Sequence, residues 1–186
     1  MNKPLYLLVG KSASGKTTVA NALKTKCAMS QLQSYTTRPK RFDEEIGHIF
    51  VTDEEFNKLQ NIMAYTEYNK YRYCATKEQV DATDIYVIDV PGVETLFQKY
   101  QTDRPIIIIY FQTNIRTRID RMIDRHDSDM EIVSRIYNDE EFDWELRLDR
   151  VVWNNKYNLG RNITMYTIDA NKNLDSVVAQ IKFLIN

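Results

Sequence analysis

At 186 residues and a formal net charge of −1, the chain is sized for one domain, or one domain with a small insertion, and lacks the global basic field that nucleic-acid binding calls for. Cys27 and Cys74, its two cysteines, show no metal spacing and cannot form a disulfide framework, which fits free thiols in a reducing compartment. No apolar run reaches the length of a membrane span and no apolar leader precedes Leu5, so a cytoplasmic protein with no membrane or nucleic-acid partner is expected.

The run Leu5–Val9 is the first predicted strand, and it leads directly into Gly10-Lys11-Ser12-Ala13-Ser14-Gly15-Lys16-Thr17. That segment is a complete Walker A phosphate loop in its proper strand-to-helix setting. Gly10 and Gly15 let the backbone turn close to phosphates, and the amides from Ser12 to Thr18 line an anion cradle at a helix N-terminus. Lys16 is then the cation for the β- and γ-phosphates and Thr17 the hydroxyl ligand of Mg²⁺, so a bound nucleoside triphosphate is expected. A helix follows at about 15–27 and a strand at Leu32–Thr36.

From Arg38 to Ala82 the texture changes to short tyrosine-rich segments, such as Tyr65–Tyr73, around one short helix opened by the Thr52/Glu55 capping box. This reads as a small α+β insertion. Strands resume at Ile85–Val90, Ile106–Phe111 and Ile163–Ile168; the isoleucine run at 106–109 suits a central strand buried on both faces. Helices are expected at 92–100, 114–125, 129–147 and 173–185, the fourth opened by Ser128 with Glu131. Apolar runs alternating with amphipathic stretches define an α/β fold, a parallel sheet flanked by helices.

Ser34-Tyr35-Thr36-Thr37-Arg38-Pro39-Lys40-Arg41 ends a strand with two arginines three apart. Pro39 forbids a helix there, and two guanidinium forks on such a loop can clamp one phosphate monoester. The same residues also read as a solvated basic turn paired with Asp43, Glu44 and Glu45. Further on, Arg118, Arg121 and Arg125 share one helix face, an arrangement that costs an isolated helix a little through like-charge pairs. Asp89 closes an apolar strand beside the phosphate loop, where a carboxylate can order water around Mg²⁺ or simply cap the next helix.

On these residues the sequence resembles the guanylate kinase family over nearly its whole length. The matching pieces are the phosphate loop through Thr18, the Ser34–Arg41 loop with Gly47, Tyr73 with Val80, Ile88-Asp89-Val90-Pro91-Gly92, Arg121-Met122-Ile123-Asp124-Arg125, Arg135-Ile136 and Val152-Trp153-Asn154-Asn155. The resemblance implies a P-loop NTPase core at 1–33 and 83–186, a nucleoside-monophosphate-binding insertion at about 34–82 and a helical lid at about 121–140. It implies phosphoryl transfer from ATP with Mg²⁺ to GMP or dGMP, by a monomer or homodimer. Carried over, Arg38, Arg41 and Tyr73 resemble the acceptor-phosphate clamp, Ser34 and Asp89 the guanine contacts, and Arg121, Arg125 and Arg135 the lid and lid-hinge arginines. Asn154 resembles an asparagine near the adenine.

The family pattern breaks in the base-reading segment. The usual Gly-x-x-Tyr-x-Phe is shortened to Gly47-His48-Ile49-Phe50, with His48 nearest the tyrosine position. The base-reading glutamate falls on Ala64 in an ungapped alignment, or on Glu67 after a short deletion. Tyr73-Cys74-Ala75-Thr76 replaces Tyr-Gly-[Thr/Ser]-Ser, so Thr76 either contacts the base or forms a capping box with Gln79. Two alternatives therefore stand beside GMP: the same fold acting on another or modified nucleoside monophosphate, and a non-catalytic binding module. Small sugar kinases share the phosphate loop but not the Arg38–Arg41 loop.

Overall fold

The computed structural model describes residues 3–41, 43–141 and 143–185. Its first sheet is parallel and contains β1 (Leu5–Val9), β6 (Ile85–Val87), β7 (Ile106–Gln112) and β8 (Ile163–Asp169) in the order β6-β1-β7-β8. Period-two alternation sends Leu5, Leu7, Val9, Ile106 and Ile108 into one core and Tyr6, Leu8, Ile109 and Phe111 into another. The first core is closed by α4 (Val90–Lys99) and α7 (Trp144–Trp153), the second by α1 (Lys16–Cys27) and α8 (Leu174–Ile185). β1 is a topological switch point, because its sequence successors in the sheet lie on opposite sides of it. In open α/β sheets the crevice beyond such a point, at the carboxyl ends of the strands, receives ligands.

The second sheet is mixed, in the order β3-β2-β5-β4, built from β2 (Ser34–Thr36), β3 (His48–Phe50), β4 (Ile62–Tyr68) and β5 (Tyr71–Thr76). The expected strand at 32–36 therefore belongs here and not to the parallel sheet, to which its approach is tied by an isolated bridge from Gln31 to Ile85 and by the Asp84 N–H donating to Ser30 O at 3.0 Å. The helices α2 (Asp53–Phe56) and α3 (Lys77–Ala82) flank this sheet, and the Thr52/Glu55 box forms in both directions.

Two further expectations change. The strand from Ile85 stops at Val87 because the Asp89 carboxylate accepts the Gly92 N–H at 2.8 Å and starts α4 early. The single helix expected at 129–147 is two, α6 (Asp129–Glu141) and α7, after α5 (Ile115–Asp124). Asp139 and Glu140 put negative charge at a helix C-terminus, which the macrodipole disfavours, and the Asp143 side chain caps a new start by accepting the Leu146 N–H. Cys27 and Cys74 are free, and burial pushes the Cys74 thiol up to about 12, leaving it inert. Among the described residues no helix is long and apolar enough to cross a membrane.

Candidate active site

The phosphate loop joins β1 to α1 at the switch point. Gly15 is the N-cap of α1 at φ +96°, a left-handed conformation that favours glycine. Lys16 folds back over the loop, donating from Nζ to Gly10 O at 2.6 Å, Lys11 O at 2.8 Å and Ser14 Oγ at 3.2 Å. Burial lowers its pKa to about 8, opposed by the nearby Asp139 and Asp89 carboxylates, so it stays a cation at pH 7. A cavity of about 510 Å³ is lined by Ala13, Ser14, Gly15, Lys16, Thr17 and Thr18, by Arg121 and Arg125, and by Ala170, Lys172, Asn173 and Leu174. Arg121 is pinned there, donating to Ala13 O at 3.3 Å and Ala170 O at 2.7 Å.

Around the corner a narrower cavity of about 190 Å³ places Gly10, Ser12, Lys16 and Asp89 opposite Ser34, His48, Thr66 and Tyr73, with Tyr65, Tyr68, Tyr86 and Trp144 supplying aromatic walls. Gly92 matters here: a Cβ would lie 2.7 Å from Ile88 Cγ1 and 2.8 Å from Asp89 Oδ1, so only glycine lets the carboxylate cap its helix this closely. Burial pushes the Asp89 carboxyl above the usual range, against the Gly92 N–H, the Thr66 hydroxyl and Lys16. Ser34 Oγ lies 2.9 Å from His48 Nδ1. Burial, reinforced by Arg38, lowers His48 to about 4, so it meets a ligand as a neutral imidazole and adds no charge at pH 7.

A third cavity, of about 330 Å³, gathers Arg38, Arg41, Tyr71, Tyr73 and Arg135. Arg38 is not solvated: it is 8% exposed and holds Glu45 bidentately, at 2.7 and 3.1 Å. Glu45 also accepts the Arg41 N–H at 2.7 Å, so one carboxylate orients both arms. Burial disfavours charge on Arg41, and the Arg38, Arg135 and Arg125 guanidiniums add to that, lowering its pKa. Asp127 faces the same cluster, pairing with Arg125 and with Arg135 at 3.6 Å, and is held below the usual carboxylate range by those arginines against the cost of burial. Converging arginines of this kind form an anion site.

Three expected residues fall elsewhere. Glu67 pairs in register with Arg72 and lines a neighbouring compartment of about 300 Å³ with Asp89, Asn138 and Trp144, outside the cavity that holds Ser34, His48 and Tyr73. It is Thr66, one residue earlier on β4, that faces Asp89. Thr76 lines no described cavity; its N–H is taken by Gln79 at the start of α3, at 3.0 Å. Asn154 sits on a π-turn after α7 and accepts from Asn158 at 2.9 Å, away from the phosphate loop, because the helical periodicity of Leu148 and Val151 carries α7 through to Trp153. Lys172 and Asn173 after β8 line the phosphate-loop cavity, which Asn154 does not.

Sequence reasoning also passed over Asp139, Asp127 and the burial of Arg118, which is 1% exposed, and named Glu45 only as a partner in a solvated turn. The like-charged face at 118, 121 and 125 was the available signal, since such spacing survives when each arginine has a separate partner. Among the described residues no three His, Cys, Asp or Glu form a metal cluster, and an Mg²⁺ bridging substrate phosphates takes few protein ligands. Thr17 in the larger cavity and Asp89 across Lys16 fit that arrangement.

A parallel sheet with a phosphate loop at its switch point, abutting an arginine-rich cavity, defines a P-loop phosphotransferase. No family model matches the chain. The guanylate kinase of Fusobacterium nucleatum is 27% identical over 166 residues, 82% of this chain and 88% of that protein. The crystal structure of guanylate kinase from Anaplasma phagocytophilum shares the fold, with a TM-score of 0.57 at 19% identity over 99% of this chain and 85% of that one. In sequence and in fold the chain is thus similar to guanylate kinases.

Proposed function

We propose that the protein transfers the γ-phosphoryl group of ATP to GMP or dGMP, with Mg²⁺. The observation that carries this reading is the 190 Å³ cavity, where Gly10, Ser12 and Lys16 of the donor loop line the same space as Ser34, His48 and Tyr73. A donor phosphate on the loop and an acceptor held by Arg38, Arg41 and Tyr73 would meet there. ATP would lie along the cavity of Ala13–Thr18, its base toward Lys172 and Asn173. Mg²⁺ on Thr17, with Asp89 acting through water, would neutralise the bridging β- and γ-oxygens. Arg121, Arg125 and Arg135 would stabilise charge on the moving group, and no general base is needed because the acceptor phosphate oxygen is already a nucleophile.

Asp89 would accept guanine N1–H and N2–H₂, with Ser34 toward O6. The test is a screen of all common ribo- and deoxyribonucleoside monophosphates with ATP and Mg²⁺. GMP or dGMP should give the highest kcat/KM. Turnover with none would sink the kinase reading and favour a binding module. One observation favours a second acceptor: the compartment beyond Asp89, lined by Glu67, Asn138 and Trp144, leaves room past the base edge. A pyrimidine or substituted base at the top of the screen would establish it.

A further inference from the structure

Helix α6 lays two carboxylates on the phosphate loop. Asp139 Oδ2 accepts the Ser12 N–H at 2.8 Å, and Glu140 Oε1 lies 3.0 Å from Lys11 Nζ. Both reach Arg118 of α5, at 3.3 and 3.2 Å. Arg118 is 1% and Asp139 2% exposed, so this is a buried charge network, in which the loss of one partner leaves the other uncompensated. The Ser12 amide belongs to the cradle that would receive phosphate oxygens. A backbone N–H is a single donor, so a carboxylate seated on it and a phosphate oxygen compete for the same bond.

We propose that Asp139 is an intramolecular competitor for the triphosphate: it latches α6 onto the phosphate loop, and the phosphates of a nucleoside triphosphate must displace it to bind. This rests on the phosphate loop being the ATP site. Binding and release of α6 are then one event, and an anion too weak to displace a carboxylate backed by Arg118 is excluded. The test is calorimetric titration of inorganic tripolyphosphate and ATP at fixed pH and ionic strength, with hydrogen exchange read across residues 129–141. Asp139→Asn keeps the volume and removes the charge, and it should bind tripolyphosphate at least about tenfold tighter than wild type, the scale of one charge-assisted hydrogen bond. In the wild type, saturating tripolyphosphate should speed exchange in α6. Equal or weaker binding by Asp139→Asn, or unchanged or slower exchange in α6, overturns the latch. Should Asp139→Asn fail to fold, Arg118→Met with Asp139→Leu removes the pair together and must show the same tightening. ATP binding and transfer in the wild type without these responses would sink the latch alone. No tripolyphosphate or ATP binding by any variant would sink the phosphate-loop reading, and the latch with it.

Discussion

Lys16 is a half-buried cation whose ammonium is shared among the loop's own oxygens, and the Asp139 and Asp89 carboxylates oppose the loss of its charge. Lys16→Met deletes that charge and little packing, so the protein should fold while phosphoryl transfer falls by about 10²–10³, the range for a group that stabilises transition-state charge. Near wild-type turnover in folded Lys16→Met would refute the assignment. His48 behaves differently. Its folded pKa of about 4 lies below the ordinary 6.5, so its contribution to stability is present above pH 6.5 and is lost as pH falls toward 4. Between pH 7 and 5 the loss should be on the order of 1–2 kcal/mol, and unfolding curves of His48→Asn should lack that component. An equally steep acid loss in the variant would show that other groups govern that window. The sequence reveals which residue types stand at 16 and 48 but not their charge state, because charge is set by burial and by partners far along the chain such as Asp139 and Arg38.

At the scale of elements, local chemistry carried most of the legible fold. The capping boxes at Thr52 and Ser128 form, the isoleucine strand is central, and the phosphate loop opens α1. The split at Asp143 and the hairpin of β4 and β5 were not legible, since alternation among tyrosines and threonines is weak and one carboxylate cap interrupts an otherwise helical pattern. The hairpin turns on Asn69 and Lys70, at φ +49° and +66°, between the register pair Tyr68 and Tyr71. A two-residue turn with both centres left-handed suits Asn-Gly, and a lysine in that conformation is strained. Lys70→Gly should therefore stabilise the protein by about 0.5–1 kcal/mol, seen as a raised denaturation midpoint at unchanged slope. A lowered midpoint would mean that the Lys70 side chain contributes more than its backbone costs. The tip also touches α6, where Asn138 Nδ2 donates to Asn69 Oδ1 at 2.9 Å, so the second sheet and the helix carrying Arg135 are joined there.

At the scale of the molecule, the cavities proposed for donor and acceptor share no lining residue, so losses should separate as well. Arg38→Met should weaken the acceptor and slow transfer while calorimetric ATP affinity stays within about twofold, because Arg38 lines the cavity proposed for the acceptor and not the one proposed for ATP. Loss of ATP binding with acceptor binding kept would mean the two sites are reversed. The phosphate loop was readable because it is one short motif. The placement of β4 was not, because which of its faces meets Asp89 is a matter of register, and a shift of one residue along a strand reverses the face. Thr66 meets Asp89 and Glu67 pairs with Arg72. On the proposed reading Asp89 would accept both guanine donors, and a buried acceptor left unpaired by adenine would be the physical source of selectivity. Asp89→Asn retains a helix-capping oxygen but replaces one acceptor with a donor. It should lower the ratio of kcat/KM for GMP over AMP by about tenfold or more, and any rate lost through Mg²⁺ cancels in that ratio. Glu67→Ala should change the same ratio by less than about threefold, in line with an exposed rim residue. A collapse of the ratio in Glu67→Ala with Asp89→Asn unchanged would place the base in the compartment beyond Asp89 and make Glu67 its reader.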